Sequence, residues 1–202
     1  MLDTFNLVLK RYNFPNLVAG IDEAGRGCLA GPVTAAAVIL PPDFELEGLN
    51  DSKQLSEEQK TRFRAYIEEH ALAWSVQHIP EERIDEINIL QATFEGMHRC
   101  VDALKHKPEI LLIDGNRFKP YPFLVHECVI KGDQKYLSIA AASVLAKTHR
   151  DEYMQKIHAE FPQYNWAKNK GYPTQEHRKA IALHDKSPHH RKSFKLLTSL
   201  ST

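Results

Sequence analysis

The chain has 202 residues, of which 43% are hydrophobic and 26% charged, and this indicates one globular domain, or one domain with a small appendage, that buries a core. No apolar run approaches the roughly 18 residues needed to cross a bilayer, and no secretory signal pattern opens the sequence, so we expect a cytoplasmic protein without a membrane partner. The net charge is zero, which argues against a generic nucleic-acid-binding protein. Cys28, Cys100 and Cys128 are odd in number and widely spaced, which predicts reduced thiols rather than disulfides or a zinc site.

The charge is unevenly distributed along the chain. From residue 162 onward there are eight lysines and arginines against Glu176 and Asp185, so this segment is basic and residues 1–161 are acidic. An acidic site beside a basic segment is typical of a metal-dependent enzyme with a phosphate-bearing substrate. A solvated basic C-terminus explains the same charges equally well.

The first half of the chain predicts a lead-in segment, three strands and three helices. Residues 1–16 lead into a strand over 17–22, and the next strand, over 33–40, pairs with it as an antiparallel hairpin. Ser56 caps a helix that ends near His70, with Gln59 completing a capping box. In order, a strand over 71–79, a short acidic helix opened by Pro80 and a longer helix over 88–106 follow.

The second half predicts two more strands and two helices. The strands cover 109–113 and 123–130, and a long helix over 137–161 begins with small apolar residues that imply tight packing on the sheet. Thr174 caps a last helix that ends near His184, and the remainder is basic and loop-like.

Two of the predicted strands end at carboxylates. The strand over 17–22 ends at Asp22 and Glu23, and the strand over 109–113 is followed by Asp114 and a glycine. If these strands are neighbours, their acids converge at one edge of the sheet. An aspartate after a strand is often only a turn residue, so the pattern leaves a turn and a chemical site both open.

The long helix adds a further acid. Val144, Lys147 and Asp151 share one helical face, which faces the sheet if the small apolar residues are buried. The resulting candidate set is Asp22, Glu23, Asp114 and Asp151. Four carboxylates at one point repel one another without a cation, and an oxygen-only donor set suits Mg²⁺ or Mn²⁺. Two such ions about 4 Å apart stabilise the attacking and leaving oxygens of an in-line phosphoryl displacement.

Other candidate residues lie in loops. Gly25 and Gly27 let the backbone approach a ligand and Arg26 suits a phosphate, although a tight turn with a surface arginine fits as well. Tyr172 fits either a core tyrosine or a stacking platform for a sugar or base. Lys53 and Lys147 fit solvated cations.

The eleven histidines do not form a metal-binding pattern in the sequence. His189 and His190 stand next to Arg191 and Lys192, which predicts a basic surface patch. No glycine-rich phosphate loop is recognisable, which argues against nucleotide-cofactor chemistry.

Seven segments, taken together, resemble one known family. In chain order they are GIDEAGRGCLAGPV, NDSKQLS, NILQAT, LLIDGN, SIAAASVLAKTHRD, NKGYPT and SPHHRKSF, and together they span roughly residues 17–195. The sequence is similar to the type 2 ribonucleases H, the bacterial ribonuclease HII family. The resemblance implies an α/β fold: a ribonuclease H-like mixed five-stranded sheet flanked by helices, with a small helical C-terminal extension. It also implies a catalytic domain over 1–161 and a basic helical extension over 162–202 packed on it.

The resemblance assigns roles to residues that match the family's motifs. Asp22, Glu23, Asp114 and Asp151 match its four metal-binding catalytic acids. Gly25, Arg26 and Gly27 match the segment that recognises the 2′-hydroxyl at an RNA–DNA junction, and Tyr172 matches the tyrosine that stacks on the sugar beyond that ribonucleotide. Ser52, Lys53, Ser143 and Lys147 fall in segments near the substrate backbone.

The activity implied by the resemblance is endonucleolytic. The phosphodiester 5′ to a ribonucleotide is hydrolysed in RNA/DNA hybrids and in DNA with embedded ribonucleotides, with two Mn²⁺ or Mg²⁺ ions, leaving a 3′-hydroxyl and a 5′-phosphate. We expect a monomer. The C-terminus shows no clamp-binding peptide, so docking on a replication clamp is not supported.

Overall fold

The computed structural model describes residues 17–46, 48–49 and 56–197. The predicted lead-in segment over 1–16 and the candidates Ser52 and Lys53 lie outside these residues. The strands of the described chain are β1 (Val18–Ala24), β2 (Val33–Ile39), β3 (Ala73–Ile79), β4 (Ile110–Asp114) and β5 (Val125–Val129). Its α-helices are α1 (Glu57–His70), α2 (Glu81–Ala103), α3 (Leu137–Glu160), α4 (Trp166–Asn169) and α5 (Gln175–His184), and short 3₁₀ turns cover Gly132–Gln134 and Pro162–Tyr164.

The five strands form one mixed sheet in the order β3-β2-β1-β4-β5. β1, β2 and β3 pair antiparallel, while β1, β4 and β5 pair parallel. The hairpin register runs from Ala19 opposite Ile39 to Ala24 opposite Thr34. The predicted α/β class, the mixed five-stranded sheet and the β1–β2 hairpin are therefore confirmed, and β1 lies at the centre.

Side chains alternate between the two faces of β1, and a different helix covers each face. Ala19 and Ile21 pack with Met97 of α2. Gly20 faces α3, where a Cβ atom would lie 2.2 Å from the carbonyl carbon of Ser138. Only glycine permits this approach, so the predicted tight packing of the long helix on the sheet is confirmed.

The helix starts follow the local sequence signals. Ser56 accepts from the Gln59 amide at 3.2 Å, and its own amide donates to the Gln59 side chain at 2.8 Å, as the capping box predicts. Within α2, Asn88 has a φ of 66° and its side-chain oxygen accepts from amides of the following turn. Asn88 thereby separates a short acidic helix from a longer one, as predicted.

The segment after α3 packs on the loop between β1 and β2. Tyr164 and Trp166 stack with ring centroids 4.9 Å apart and join a cluster with Leu29 of that loop. Ala30 and His190 form an antiparallel bridge. Among the described helices, none has the length and apolar character that a membrane span requires.

Candidate active site

Three of the four candidate acids lie at the ends of adjacent parallel strands. Ile21 of β1 pairs with Ile113 of β4, so Asp22 and Asp114 follow one step beyond a paired position. Asp22 points to the α3 side like Gly20, two residues earlier, and Glu23 points to the opposite side. The strand alternation and the parallel register therefore bring Asp22, Glu23 and Asp114 to one edge of the sheet.

The Asp22 carboxyl is in an unfavourable electrostatic environment. Asp22 is only 5% exposed. Burial raises its pKa well above the ordinary value, and the nearby charges of Glu23 and Asp114 raise it further. Hydrogen bonds from the Ser143 side chain and from the Glu23 amide, the latter at 2.7 Å, act in the opposite direction without cancelling the shift. A cation beside these acids would stabilise the ionised form.

Glu23 and Asp114 each have a partner that fixes their side chains. Asp114 Oδ1 accepts from the amide of Gly132 at 2.7 Å, and Glu23 Oε1 accepts from Arg26 Nη1 at 3.1 Å. Both acids line a cavity of about 110 Å³ with Arg26 and Arg117. Two acids and two arginines at one cavity suit a phosphate ester together with a metal ion.

Asp151 reaches the same end of the sheet from α3. This helix runs alongside β1, since its start contacts Gly20 and Arg150 lies against Gly25. Asp151 is buried, and its Oδ2 accepts from Lys147 Nζ at 3.0 Å. The predicted shared face of Lys147 and Asp151 is therefore present, and the two form an ion pair there.

The donor chemistry suits a hard divalent cation. Among residues 17–46, 48–49 and 56–197, no three histidine, cysteine, aspartate or glutamate side chains are already arranged around a common metal position. Burial, and with it the charges of Glu23 and Asp114, raises the pKa of Asp22, and a bound Mg²⁺ or Mn²⁺ would compensate the charge of these carboxylates. The residues therefore fit such an ion by type and charge.

Two buried arginines lie beneath the β1–β2 loop (residues 25–32), and sequence analysis did not find their role. Gly25 has a φ of 89°, and a Cβ there would lie 2.0 Å from Arg150 Nε. Arg150 and Arg191 are 1% and 0% exposed and donate to backbone carbonyls of this loop. Arg26, in contrast, is exposed. No sequence signal distinguishes these buried arginines from surface ones.

Tyr172 lies next to the β1–β2 loop. Tyr172 is 43% exposed, which excludes the alternative of a tyrosine buried in the core. The preceding Gly171 accepts from the amide of Leu29 at 2.7 Å, and the Tyr172 hydroxyl interacts with the Cys28 side chain. Its partial burial raises the pKa of the phenol, which therefore stays neutral at physiological pH. An accessible neutral ring is compatible with stacking on a sugar or base.

The predicted surface patch at His189–Lys192 is wrong for two of its members. His190 and Arg191 are fully buried. His190 Nε2 lies 3.2 Å from His177 Nε2, and burial, with the nearby His177, lowers the pKa of His190 to about 4. A neutral imidazole and an arginine that binds backbone carbonyls can both be buried. A run of basic residues in the sequence does not reveal such burial.

Comparisons with known proteins agree with this architecture. The family description "Ribonuclease HII" matches residues 19–197. Ribonuclease HII of Bacteroides fragilis is 62% identical over 191 residues, covering 95% of each chain. The ribonuclease H2 structure from Pyrococcus horikoshii has a TM-score of 0.74 at 24% identity, covering 89% of this chain and 94% of that one, and shows the shared fold. The PCNA:RNase HII complex from Archaeoglobus fulgidus has a TM-score of 0.73 at 27% identity, covering 90% and 96%. The chain belongs to the ribonuclease HII family of metal-dependent ribonuclease H enzymes.

Proposed function

We propose that this enzyme hydrolyses the phosphodiester on the 5′ side of a ribonucleotide, in RNA/DNA hybrids and in DNA with embedded ribonucleotides. The products are a 3′-hydroxyl and a 5′-phosphate. The observation that supports this proposal most is the clustering of Asp22, Glu23 and Asp114 at adjacent strand ends, with the pKa of Asp22 strongly raised. Such a site has the charge needed for metal-assisted phosphoryl chemistry, and it has no need of a protein nucleophile.

Asp22, Glu23, Asp114 and Asp151 would hold two Mn²⁺ or Mg²⁺ ions together with the substrate. The ions, when bound, lower the pKa of a water and stabilise charge on the attacking and leaving oxygens. The chain's own contribution is positioning: the Gly132 amide fixes Asp114, and the Ser143 hydroxyl and Glu23 amide fix Asp22. Lys147 neutralises Asp151 and lies where it can approach the substrate backbone.

Substrate selection rests on the β1–β2 loop and Tyr172. Gly25, Arg26 and Gly27 recognise the 2′-hydroxyl, the group that distinguishes RNA from DNA at a given position. The half-exposed Tyr172 ring stacks on the neighbouring sugar. Ser143 and Lys147 contact the substrate backbone together with Ser52 and Lys53, which lie outside the described residues.

The same proposal covers the domain organisation, the oligomeric state and the compartment of the enzyme. Residues 1–161 form the catalytic domain, and residues 162–202 form a basic extension that adds to duplex binding, in a monomer. Free thiols at Cys28, Cys100 and Cys128 support a reducing compartment such as the cytoplasm. The Archaeoglobus fulgidus relative is in complex with PCNA.

The experiment that tests the proposal is cleavage of a DNA duplex that contains one ribonucleotide, with and without Mn²⁺, against the same duplex made only of DNA. We expect a single Mn²⁺-dependent cut 5′ to the ribonucleotide and no cut in the control. Equal cleavage of both duplexes would instead indicate a general two-metal nuclease. Binding without cleavage would indicate a hybrid-binding module.

A further inference from the structure

Arg191 holds the backbone of the β1–β2 loop from below. Its Nη2 donates to the carbonyl of Gly25 at 2.7 Å, its Nη1 to the carbonyl of Arg26 at 2.9 Å and its Nε to the carbonyl of Gly31 at 3.0 Å. All three nitrogens of one buried guanidinium are therefore used on one loop. Because the guanidinium is planar and rigid, these bonds fix the orientation of two consecutive peptide groups.

The orientation of these peptides determines which groups face solvent. In a trans peptide the carbonyl and the following N–H point in opposite directions. With the carbonyls of Gly25 and Arg26 directed at Arg191, the amides of Arg26 and Gly27 point away from it. Arg26 and Gly27 are exposed, and within the described chain their amides have no backbone acceptor. Two adjacent donors are therefore directed outward beside Glu23.

Arg150 connects the same loop to the segment that bears Tyr172. Its Nη2 donates to the carbonyl of Ala30 at 3.0 Å and its Nε to that of Pro32 at 2.9 Å. Its Nη1 donates to the carbonyl of Lys170 at 2.8 Å, two residues before Tyr172. One side chain therefore sets the separation between the loop and the tyrosine, and it is adjacent to Asp151 in sequence.

This arrangement is costly as a way to stabilise a fold. Among the described residues, neither Arg150 nor Arg191 forms an ion pair with a carboxylate, so two buried cations are compensated mainly by neutral carbonyls. Burying a charge without a counter-charge is unfavourable, and the hydrogen bonds to neutral carbonyls offset that cost in part. What the arginines provide instead is a defined backbone geometry at the substrate side of the loop.

We propose that Arg191 and Arg150 are positioning residues for ribonucleotide selection: they direct the amides of Arg26 and Gly27 at the 2′-hydroxyl region and fix their distance from Tyr172. This inference rests on the proposed role of the loop. It adds two residues that act through the backbone and do not touch the substrate.

The test compares Arg191→Lys with Arg178→Lys, both in an Asp22→Asn background that binds without cutting. Arg178 is a matched control because it also donates to backbone carbonyls, those of Lys195 and Leu196, away from the β1–β2 loop. The dissociation constant is measured by fluorescence anisotropy for a duplex with one ribonucleotide and for the all-DNA duplex. Lysine keeps the charge but lacks the planar fork, so the preference for the ribonucleotide should fall about tenfold, equivalent to about 1.4 kcal/mol.

Affinity for the all-DNA duplex should remain unchanged in Arg191→Lys, and Arg178→Lys should keep the full preference. An unchanged preference in Arg191→Lys, or an equal loss of affinity for both duplexes, would overturn the inference while leaving the proposed function intact. Absence of any preference in the Asp22→Asn parent would instead refute the role of the loop, and this inference with it.

A second measurement covers the case in which Arg191→Lys does not fold. In ¹⁵N-labelled Asp22→Asn protein, the Arg191 Nε–H resonance should shift when the ribonucleotide duplex binds and stay in place when the all-DNA duplex binds. The same shift with both duplexes would contradict a positioning role.

Discussion

Replacing Asp22 with asparagine should raise the stability of the protein and abolish its cleavage activity. The folded state raises the pKa of this carboxyl through burial and through the charges of Glu23 and Asp114. Wherever this carboxyl is ionised, it therefore destabilises the folded state. Asparagine removes the charge, and its side-chain oxygen can still accept from Ser143 and from the Glu23 amide.

The direction of the effect follows from the linkage between pKa and stability: a carboxyl whose pKa is raised in the folded state destabilises that state when it is ionised. For a chain of this size, each 1 kcal/mol that asparagine restores should raise the Tm by about 2–4 °C. The gain depends on pH, because below about pH 4 the carboxyl is protonated in both the folded and the unfolded state. The gain in stability grows as the pH rises from about 4 to the raised pKa of the folded state, and it is constant above that pKa.

The assay is thermal unfolding followed by circular dichroism between pH 4 and pH 8, without divalent ions, combined with cleavage of a duplex that contains one ribonucleotide. Asp151→Asn is the comparison, since it removes a carboxylate that is paired with Lys147 and should not raise the Tm. A Tm of Asp22→Asn at or below that of the wild type at pH 7 would refute the electrostatic reasoning. Cleavage by Asp22→Asn at a near wild-type rate would mean that Asp22 is not part of the active site.

Three further predictions concern the ion, the tyrosine and the loop. Mn²⁺ at about 100 times its dissociation constant should stabilise the wild type by about 2.7 kcal/mol, seen as a higher Tm, and should stabilise Asp22→Asn less; an unchanged wild-type Tm would mean that the ions bind only with substrate. Tyr172→Ala should reduce cleavage at a single ribonucleotide more than it reduces duplex affinity by anisotropy, and equal losses would make Tyr172 an ordinary contact. Gly25→Ala should lose activity and about 1–3 kcal/mol of stability in urea unfolding, because its Cβ would lie 2.0 Å from Arg150 Nε at a φ of 89°. Gly27→Ala is the control for stability, since its Cβ meets open space, and equal destabilisation of both variants would contradict this packing argument.

Much of the fold could be predicted because local signals and tertiary packing agree. The apolar runs before Asp22 and Asp114 define two strands, and their parallel pairing brings the acids together as expected. The Ser56 capping box and the small residues at the start of α3 also have the consequences that their chemistry predicts. In these places the signal within a short stretch of sequence agrees with the packing that the rest of the fold provides.

The support of the β1–β2 loop could not be predicted, because its partners are distant in sequence and bind backbone atoms. Arg191 donates to the carbonyl of Gly25, 166 positions earlier. Because every residue has a backbone carbonyl, the sequence does not show which one an arginine binds. His190 lies among basic residues but is buried and neutral, because it packs on Trp166 and His177. The interpretation as a surface patch is wrong for His190 and Arg191 for this reason.

The most direct test of the account is single-turnover cleavage, in Mn²⁺, of a duplex with one ribonucleotide by the wild type and by four variants. The variants are Asp22→Asn, Glu23→Gln, Asp114→Asn and Asp151→Asn. We predict that only the wild type cuts rapidly, on the 5′ side of the ribonucleotide, and that no protein cuts the same duplex when that sugar is deoxyribose. Rapid cleavage by any of the four variants, or of the all-DNA duplex by the wild type, would contradict a four-carboxylate site that selects a 2′-hydroxyl.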